Sequence, residues 1–571
     1  SSSCNSWNMF WRGFASTSTV DLLLDSENCT LEELLKDQDL IQECKQRNQK
    51  LLNFLSNPTE LEALVGYVVD PAPEDADELR RIVFPCKASE ILSLNSALQV
   101  LLLNDESLTS KLMNMIAQGD DKFNEFTASN YSKILCSILN FRPDKAIIAV
   151  HSAGIAQHIF EYLHLSSILD LLLAIIHESD AMLSRGNLED DIPNLITEAN
   201  MVQRLISRLS PEYPVEVHEN SSLALVTLVC AEACSGDIFL PENVDFLLSK
   251  TLGENESLAD CDEKRASVLK CGLQVVLEFV RQGHKLNEGQ DDEPFNFEFD
   301  DVFCRTPSSI PKKQVRGDTG GVQKSQAFNV ALKQIMLRIR DVILILKNPP
   351  RLQKIVNSVT TIDPPLGSVR FKIVELIHLL VLLDNIDVYS ALAEHEAIPI
   401  CLQLFFQYEW HNMLHNLVQK ILEFVVHSEE CLILQRTIFE EADFLNRVVK
   451  AYALNESYSK QPKTSRKGYM GHLRVICNMI MQASSSNRMI ESHVSEPFWK
   501  KFLEENPEIL VDFKDSKQGL APNSIEREVD GQELEDGDFE SGVASAASLT
   551  EAFDNEDSVV IEDQIEEQRS D

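Results

Sequence analysis

Apolar residues recur along this chain at three- and four-residue intervals, and strict alternation of apolar with polar positions is almost absent, so the pattern predicts helices. The clearest stripe runs through Trp410, Met413, Leu414, Leu417, Val418, Ile421, Leu422 and Val425, one face of a single helix. Near the beginning, Thr30-Leu31-Glu32-Glu33 fits a capping box, in which the Thr30 hydroxyl accepts from the Glu33 amide while the Glu33 carboxylate reaches back to the Thr30 amide. From there a helix, one long or two short, is predicted through Leu34, Leu35, Leu40, Ile41, Cys44, Leu51, Leu52 and Leu55, stopping near Asn57-Pro58. Similar amphipathic segments fall at 98–116, 131–139, 155–176, 199–209, 221–233, 266–280 and 330–346. Beyond Pro364-Pro365 the pattern gives 366–383, the Trp410 stripe, 439–454, 472–481 and 497–504.

Many helices joined by short loops predict an all-α fold, an irregular HEAT/armadillo-like α-solenoid in which helix pairs stack along an axis. No strict period repeats, although helices arrive at about the 40 to 47 residues per pair that such arrays use. A chain of 571 residues exceeds one ordinary core, and an array that lengthens along its axis escapes that limit. Two segments interrupt the pattern. Residues 284–324 are first acidic (GQDDEPFNFEFDD), then basic and proline-containing (RTPSSIPKKQVRGDTGG), and predict a disordered loop or linker, with Thr306-Pro307 a weak phosphorylation candidate. The second is an acidic disordered C-terminal tail. The expected division is an extension at 1–8, ahead of a candidate start at Met9, helical array at 9–283, linker at 284–324, helical array at 325–512 and tail at 513–571.

Composition sharpens this picture. Aromatics make up only 7% of residues against 44% hydrophobic overall, which suits Leu-rich helices better than sheets. The formal net charge of −39 argues against nucleic acid and anionic lipid, since phosphate binding needs Lys and Arg to displace counterions. From Glu526 to Asp571 there are 17 acidic residues against two arginines, with almost no aromatic residue to build a core. Thirteen cysteines without a CxxC pair read as reduced thiols, and with no secretory signal in view the expected location is the cytoplasm, the nucleus left open. The sequon-like triplets at Asn28, Asn130, Asn220, Asn255 and Asn455 are therefore expected to be chance matches. The most apolar runs, 168–176 and 373–383, are too short to insert in a membrane.

Candidate chemistry is sparse, and no catalytic centre, cofactor site or metal site is expected. His411 and His415 share a helix face as in a zinc-binding HExxH, but Asn412 stands where that motif needs its general-base Glu. Cys230 and Cys234 share a face too, and without further ligands nearby they read as small core residues. Gly317 to Ser325 has glycines before Lys324 but Gln323 where a phosphate loop needs Gly. Asn48 lies close to an apolar face, where a buried amide must find partners, and reads as a tie between two helices. Leu366-Gly367-Ser368-Val369-Arg370 offers a bend followed by a cation, read as a helix start ahead of a partner contact.

Four blocks, taken together, resemble the SAPS-domain family: MFW with TLEELLKDQDLIQECKQRNQKLLNFL (30–55), PPLGSVRFKIVELIHLL (364–380), LFFQYEWHNMLHNLVQKIL (404–422) and GYMGHLRVICNMI (468–480). They occur in the family's order and span Met9 to about Leu503. The resemblance implies a helical-repeat regulatory subunit of the type-6, yeast Sit-four-like, serine/threonine protein phosphatase. Such a subunit is not an enzyme; it binds the catalytic subunit, directs it to substrates, and leaves room for a further scaffold subunit. In keeping with this, the GDxxDR and GNHE blocks of metal-dependent phosphatases are absent. Carried over residue by residue, the partner-binding candidates are Glu43, Lys45, Asn48, Leu366, Gly367, Arg370, Glu375, Asn412, His415, Gly468, Tyr469, Gly471 and His472. The chain departs from the family pattern in three places: His411 stands where another Asn is usual, Phe371 where Leu is usual, and the segment from about Glu178 to Ser257 matches only loosely. The alternative, an acidic α-solenoid adaptor for basic peptides in transport, is disfavoured because such adaptors repeat Trp-Asn pairs and only Trp7-Asn8 forms one here.

Overall fold

The computed structural model describes residues 18–26, 29–70, 72–73, 76–119, 123–184, 194–233, 236–253, 262–287, 320–349, 352–356, 361–459 and 467–510. Expectations for 1–8, Met9, Thr306, most of the linker and the acidic tail lie outside these residues, as do Asn28, Asn255 and Cys234. Within them the fold is all-α; the strand pairing among the described residues is a two-residue antiparallel ladder, Ile355–Val356 on Thr361–Ile362.

Eight helices form a continuous series, numbered here α1 (Phe84–Leu94), α2 (Glu125–Phe141), α3 (Ser166–Ser184), α4 (Val215–Cys230), α5 (Glu263–Asn287), α6 (Gly367–Val381), α7 (Asn412–His427) and α8 (Met470–Ala483). Each packs on the one before and the one after it. The connecting segments supply a second layer: Pro58–Val69 lies on α1, Pro143–Ser152 on α2 and α3, Pro241–Leu252 on α5, and Ala397–Gln407 on α7. This is the stacking logic of an α-solenoid, in which each amphipathic element buries its apolar stripe on its neighbours.

Polar side chains set the register within these apolar contacts. Buried Ser89 on α1 donates to Asn130 on α2 at 3.0 Å, Ser132 on α2 donates to the Ser167 carbonyl at the start of α3 at 2.5 Å, and Ser222 on α4 donates to the Cys271 carbonyl on α5 at 2.8 Å. Arg281 on α5 pairs with Glu375 on α6. Two of the sequon-like asparagines are occupied in this way, Asn130 by Ser89 and Asn220 by the Leu163 carbonyl, to which it donates at 2.7 Å.

Several predicted boundaries shift, each for a local reason. The capping box at Thr30 forms, with Glu33 N–H to Thr30 Oγ1 at 3.3 Å and Thr30 N–H to Glu33 Oε2 at 3.2 Å. The helix that follows is three short ones, Leu31–Lys36, Leu40–Lys45 and Gln49–Leu55, because Arg47 adopts a left-handed φ of 59° and Asn48 caps a new start. Asp105 likewise splits 98–116 by accepting from the amides of Ser107 and Leu108. The helices missed by the apolar pattern include those opening at Pro58, Pro143 and Pro241, where proline occupies the first turn and loses no hydrogen bond. The expected linker is narrower too: α5 runs on to Asn287, and helix Gly320–Leu337 begins before residue 325. Cys230 is exposed and donates to Glu278 at 3.2 Å, so it is not a core residue.

Helices approach closely at Gly283 on α5, where an added Cβ would lie 2.0 Å from the ring of buried Phe328. Gly283→Ala is expected to destabilise the array by about 1–3 kcal/mol through overpacking, read as a lower urea midpoint by circular dichroism; an unchanged midpoint would show that this contact opens without cost.

Candidate functional site

Ten of the thirteen candidate residues gather where α6, α7 and α8 pack in succession. The segment from Leu366 to Arg370 does start a helix. Gly367 has a left-handed φ of 73°, and a Cβ there would meet Leu352 Cδ1 at 2.5 Å, so both backbone and space call for glycine. Arg370 is only 3% exposed. Its Nε donates to the Leu366 carbonyl at 2.9 Å, and its Nη2 donates to the Pro365 carbonyl at 2.6 Å and to the Tyr408 hydroxyl. Tyr408 in turn donates to the Pro364 carbonyl at 2.7 Å. These acceptors are all neutral, and among the described residues no carboxylate pairs with Arg370. The cation thus pins the entry of α6 to the segment that enters α7.

At that entry His411 caps α7, its Nδ1 accepting from the Leu414 amide at 3.1 Å, while its ring stacks on Phe371 with centroids 5.7 Å apart. His415, one turn on, is 1% exposed and donates from Nε2 to the Phe405 carbonyl at 3.1 Å. The two histidines that resembled a zinc pair are therefore engaged separately. Burial, with the adjacent His472 adding to it, pushes the His415 pKa down to about 4, so the ring is neutral at physiological pH.

His472 on α8 reaches back to α7, its Nε2 2.8 Å from Asn412 Oδ1 and its Nδ1 2.8 Å from Gln419 Oε1. Burial lowers its pKa also. A neutral imidazole has one N–H to give, so one of the two amides must turn its NH2 toward the ring. Tyr469 is buried against Phe405, Phe406 and His415. Gly468 lies so close to the preceding turn that a Cβ would be 2.6 Å from the Glu409 carbonyl and 2.9 Å from Trp410 Cε3. At Gly471 the space for a Cβ is open.

The result is a floor of buried groups, Arg370, Tyr408, His415 and Tyr469, beneath an exposed face. On that face are Trp410, 50% exposed, with Asn412, Gly468 and Gly471, and half-buried Phe371, His411 and His472 between them. Trp410 was expected in the buried stripe of α7; it instead precedes the helix and faces outward. Its role, and that of Tyr408, is not visible from spacing, because both sit in the turn where helical periodicity is interrupted. Leu366 is buried, and Glu375 pairs with Arg281 on α5, whose other Nη lies 3.4 Å from Glu278.

The other three candidates form a separate group near the start of the array. Asn48 is half-buried and caps Gln49–Leu55, accepting from Lys50 and Leu51 amides at 3.0 and 3.3 Å. Its amide donates to Asp21 at 2.9 Å and Glu43 at 2.8 Å, tying three short helices rather than two. Lys45 is exposed, 3.7 Å from Glu90 on α1.

Stacked helices that present a contiguous aromatic and amide face define a helical-repeat scaffold, a protein that offers surface. The chain belongs to the SAPS family, described as SIT4 phosphatase-associated protein, whose model matches residues 150–510. That span holds the ten clustered candidates, while Glu43, Lys45 and Asn48 precede it. Among curated relatives it is similar to serine/threonine-protein phosphatase 6 regulatory subunit 3-A of Xenopus laevis, 27% identical over 506 residues, which are 83% of this chain and 55% of the relative. It is likewise similar to regulatory subunit 1 of Homo sapiens, 28% identical over 505 residues, 83% and 54% of the two chains. Extragenic suppressor of kinetochore protein 1 of Schizosaccharomyces pombe is 24% identical over 302 residues, 48% of this chain and 35% of that one. The chain spans about half the length of the curated relatives it matches. An engineered protein of known crystal structure aligns over 86% of this chain and 96% of its own at a TM-score of 0.37 and 11% identity, too slight a likeness to bear on the fold.

The buried histidines make stability fall in acid. His415 and His378 each have a folded pKa near 4 against an ordinary 6.5, so the unfolded chain takes up protons first as pH falls. Their stabilisation is complete above about pH 6.5 and is lost progressively toward pH 4, on the order of 3 kcal/mol for each. His415→Gln is expected to flatten the slope of urea midpoint against pH in that window; a slope equal to that of the unsubstituted protein would contradict the burial argument.

Proposed function

We propose that this chain is a non-catalytic regulatory subunit that binds a serine/threonine protein phosphatase catalytic subunit of the type-6 class and directs its choice of substrate. The observation that carries this reading is membership of a family described as phosphatase-associated, together with relatives named as regulatory subunits of phosphatase 6 over four-fifths of the chain. The contact surface we assign is the face of Trp410, His411, Asn412, Gly468, Gly471 and His472. A half-exposed tryptophan ringed by amides and neutral imidazoles, on a buried and hydrogen-bonded floor, has the chemistry of an interface anchor. It costs little entropy to immobilise because the floor already holds it. The metals of the reaction would belong to the partner.

Several further points rest on the same reading. A third subunit would use surface that α6 to α8 leave free. The net charge of −39 supports protein rather than nucleic-acid partners, and the cytoplasm is the inferred location. No helix among the described residues is long and apolar enough to cross a membrane.

The test is affinity purification of the tagged chain from its own cells with identification of stoichiometric partners by mass spectrometry. A type-6-like catalytic subunit is the expected catch; basic cargo or transport factors in its place would sink the reading. Trp410→Ala is expected to reduce capture by about tenfold or more, as for an interface hot spot, with an unchanged melting temperature. Lys45→Ala, in the separate group, is expected to have a much smaller effect. Equal capture by both variants would move the contact away from this face.

A further inference from the structure

A crevice of about 300 Å³ opens between α4, α5 and the start of α6. It is a different feature from the Trp410 face: none of that face's exposed residues lines it, and Arg370, in the buried floor, is common to both. Its apolar walls come from Val215 at the start of α4, Leu352 ahead of the strand pair, and Leu366 and Val369. Ala266 and Ser267 on α5 close another side. The volume is at the lower end of those that enclose a small ligand.

The charges around the crevice are unequal. Lys270 and Glu219 pair across the rim at 3.0 Å and offset one another. Glu263 lies in the exposed first turn of α5, where solvent screens it. Arg370 also lines the crevice, and unlike the others it is 3% exposed, its partners being two carbonyls and the hydroxyl and ring face of Tyr408, all neutral. The charge that is buried without a carboxylate partner is therefore positive. A buried guanidinium held by neutral oxygens gains from an anion far more than an exposed one does. Beside it, α6 begins with no side-chain cap, and Gly367 presents no Cβ.

An occupant must match apolar walls and a buried cation within one small volume. An internal Asp or Glu would bring its two flanking peptide groups into those walls, and their dehydration would go uncompensated. A terminal residue carries an apolar side chain and a carboxylate on the same carbon. We propose that this crevice binds the apolar C-terminal residue of a peptide, its side chain against Val215, Leu352 and Leu366 and its carboxylate directed to Arg370.

The inference does not depend on the phosphatase reading, and the two can fail separately. The test titrates three probes into the full chain, followed by calorimetry: N-acetyl-L-leucine, N-acetyl-L-leucinamide, and the doubly blocked dipeptide acetyl-Leu-Asp-amide. Saturable millimolar binding of the free acid is expected, with each of the other two weaker by about tenfold, 1.4 kcal/mol. Ala266→Trp, which fills the crevice from α5, is expected to abolish binding while leaving the melting temperature and catalytic-subunit capture unchanged. Equal binding of acid and amide would remove the carboxylate from the proposal, and equal binding of the blocked dipeptide would remove the chain terminus. Absence of saturation, or wild-type binding by Ala266→Trp, would overturn the site altogether.

Discussion

An amphipathic helix cannot bury its own apolar stripe, and in this molecule neighbouring helices bury it. From α1 to α8 each member covers its neighbour, so stability is laid down link by link rather than around one centre. Apolar contact alone would let such helices slide and rotate. The serine, asparagine and arginine bonds that cross from one helix to the next specify which turn meets which, because a misplaced buried polar group would lose its partner.

That constraint is what allows a surface to be built at the α6 to α8 end. Arg370 fastens two loop entries together through carbonyls and Tyr408, His415 fastens α7 to the helix before it, and Tyr469 fills the gap between them. All three are buried, yet they lie directly beneath Trp410 and His472. The candidates carried over from the family blocks thus divide by depth: some shape the face and others form it.

Fold class was legible because helical periodicity survives in every long element, and the capping box at Thr30 formed as read. Boundaries were less so. The signals that start a helix here, Asn48, Asp105 and the prolines at 58, 143 and 241, are residues that also break helices, and only the neighbouring contacts decide which they do. The site was legible only through resemblance. Nothing in the spacing of Pro365, Arg370 and Tyr408 announces that they meet, since the contact crosses 38 residues between Arg370 and Tyr408. Trp410 was misplaced for a similar reason: its position matches the stripe of α7, but the helix begins two residues later. The N-terminal group was legible as a set of polar positions, while its role as a cap required the positive φ of Arg47 to be seen.

The stacking of His411 on Phe371 carries a last consequence. One ring stands on α6 and the other caps α7, with centroids 5.7 Å apart. Physically they are one unit, an aromatic plate spanning two helices, and either half alone would leave a ring without its platform. A chimaera that replaced α6 without the cap of α7 would therefore part the two rings and leave a mismatched seam between the helices.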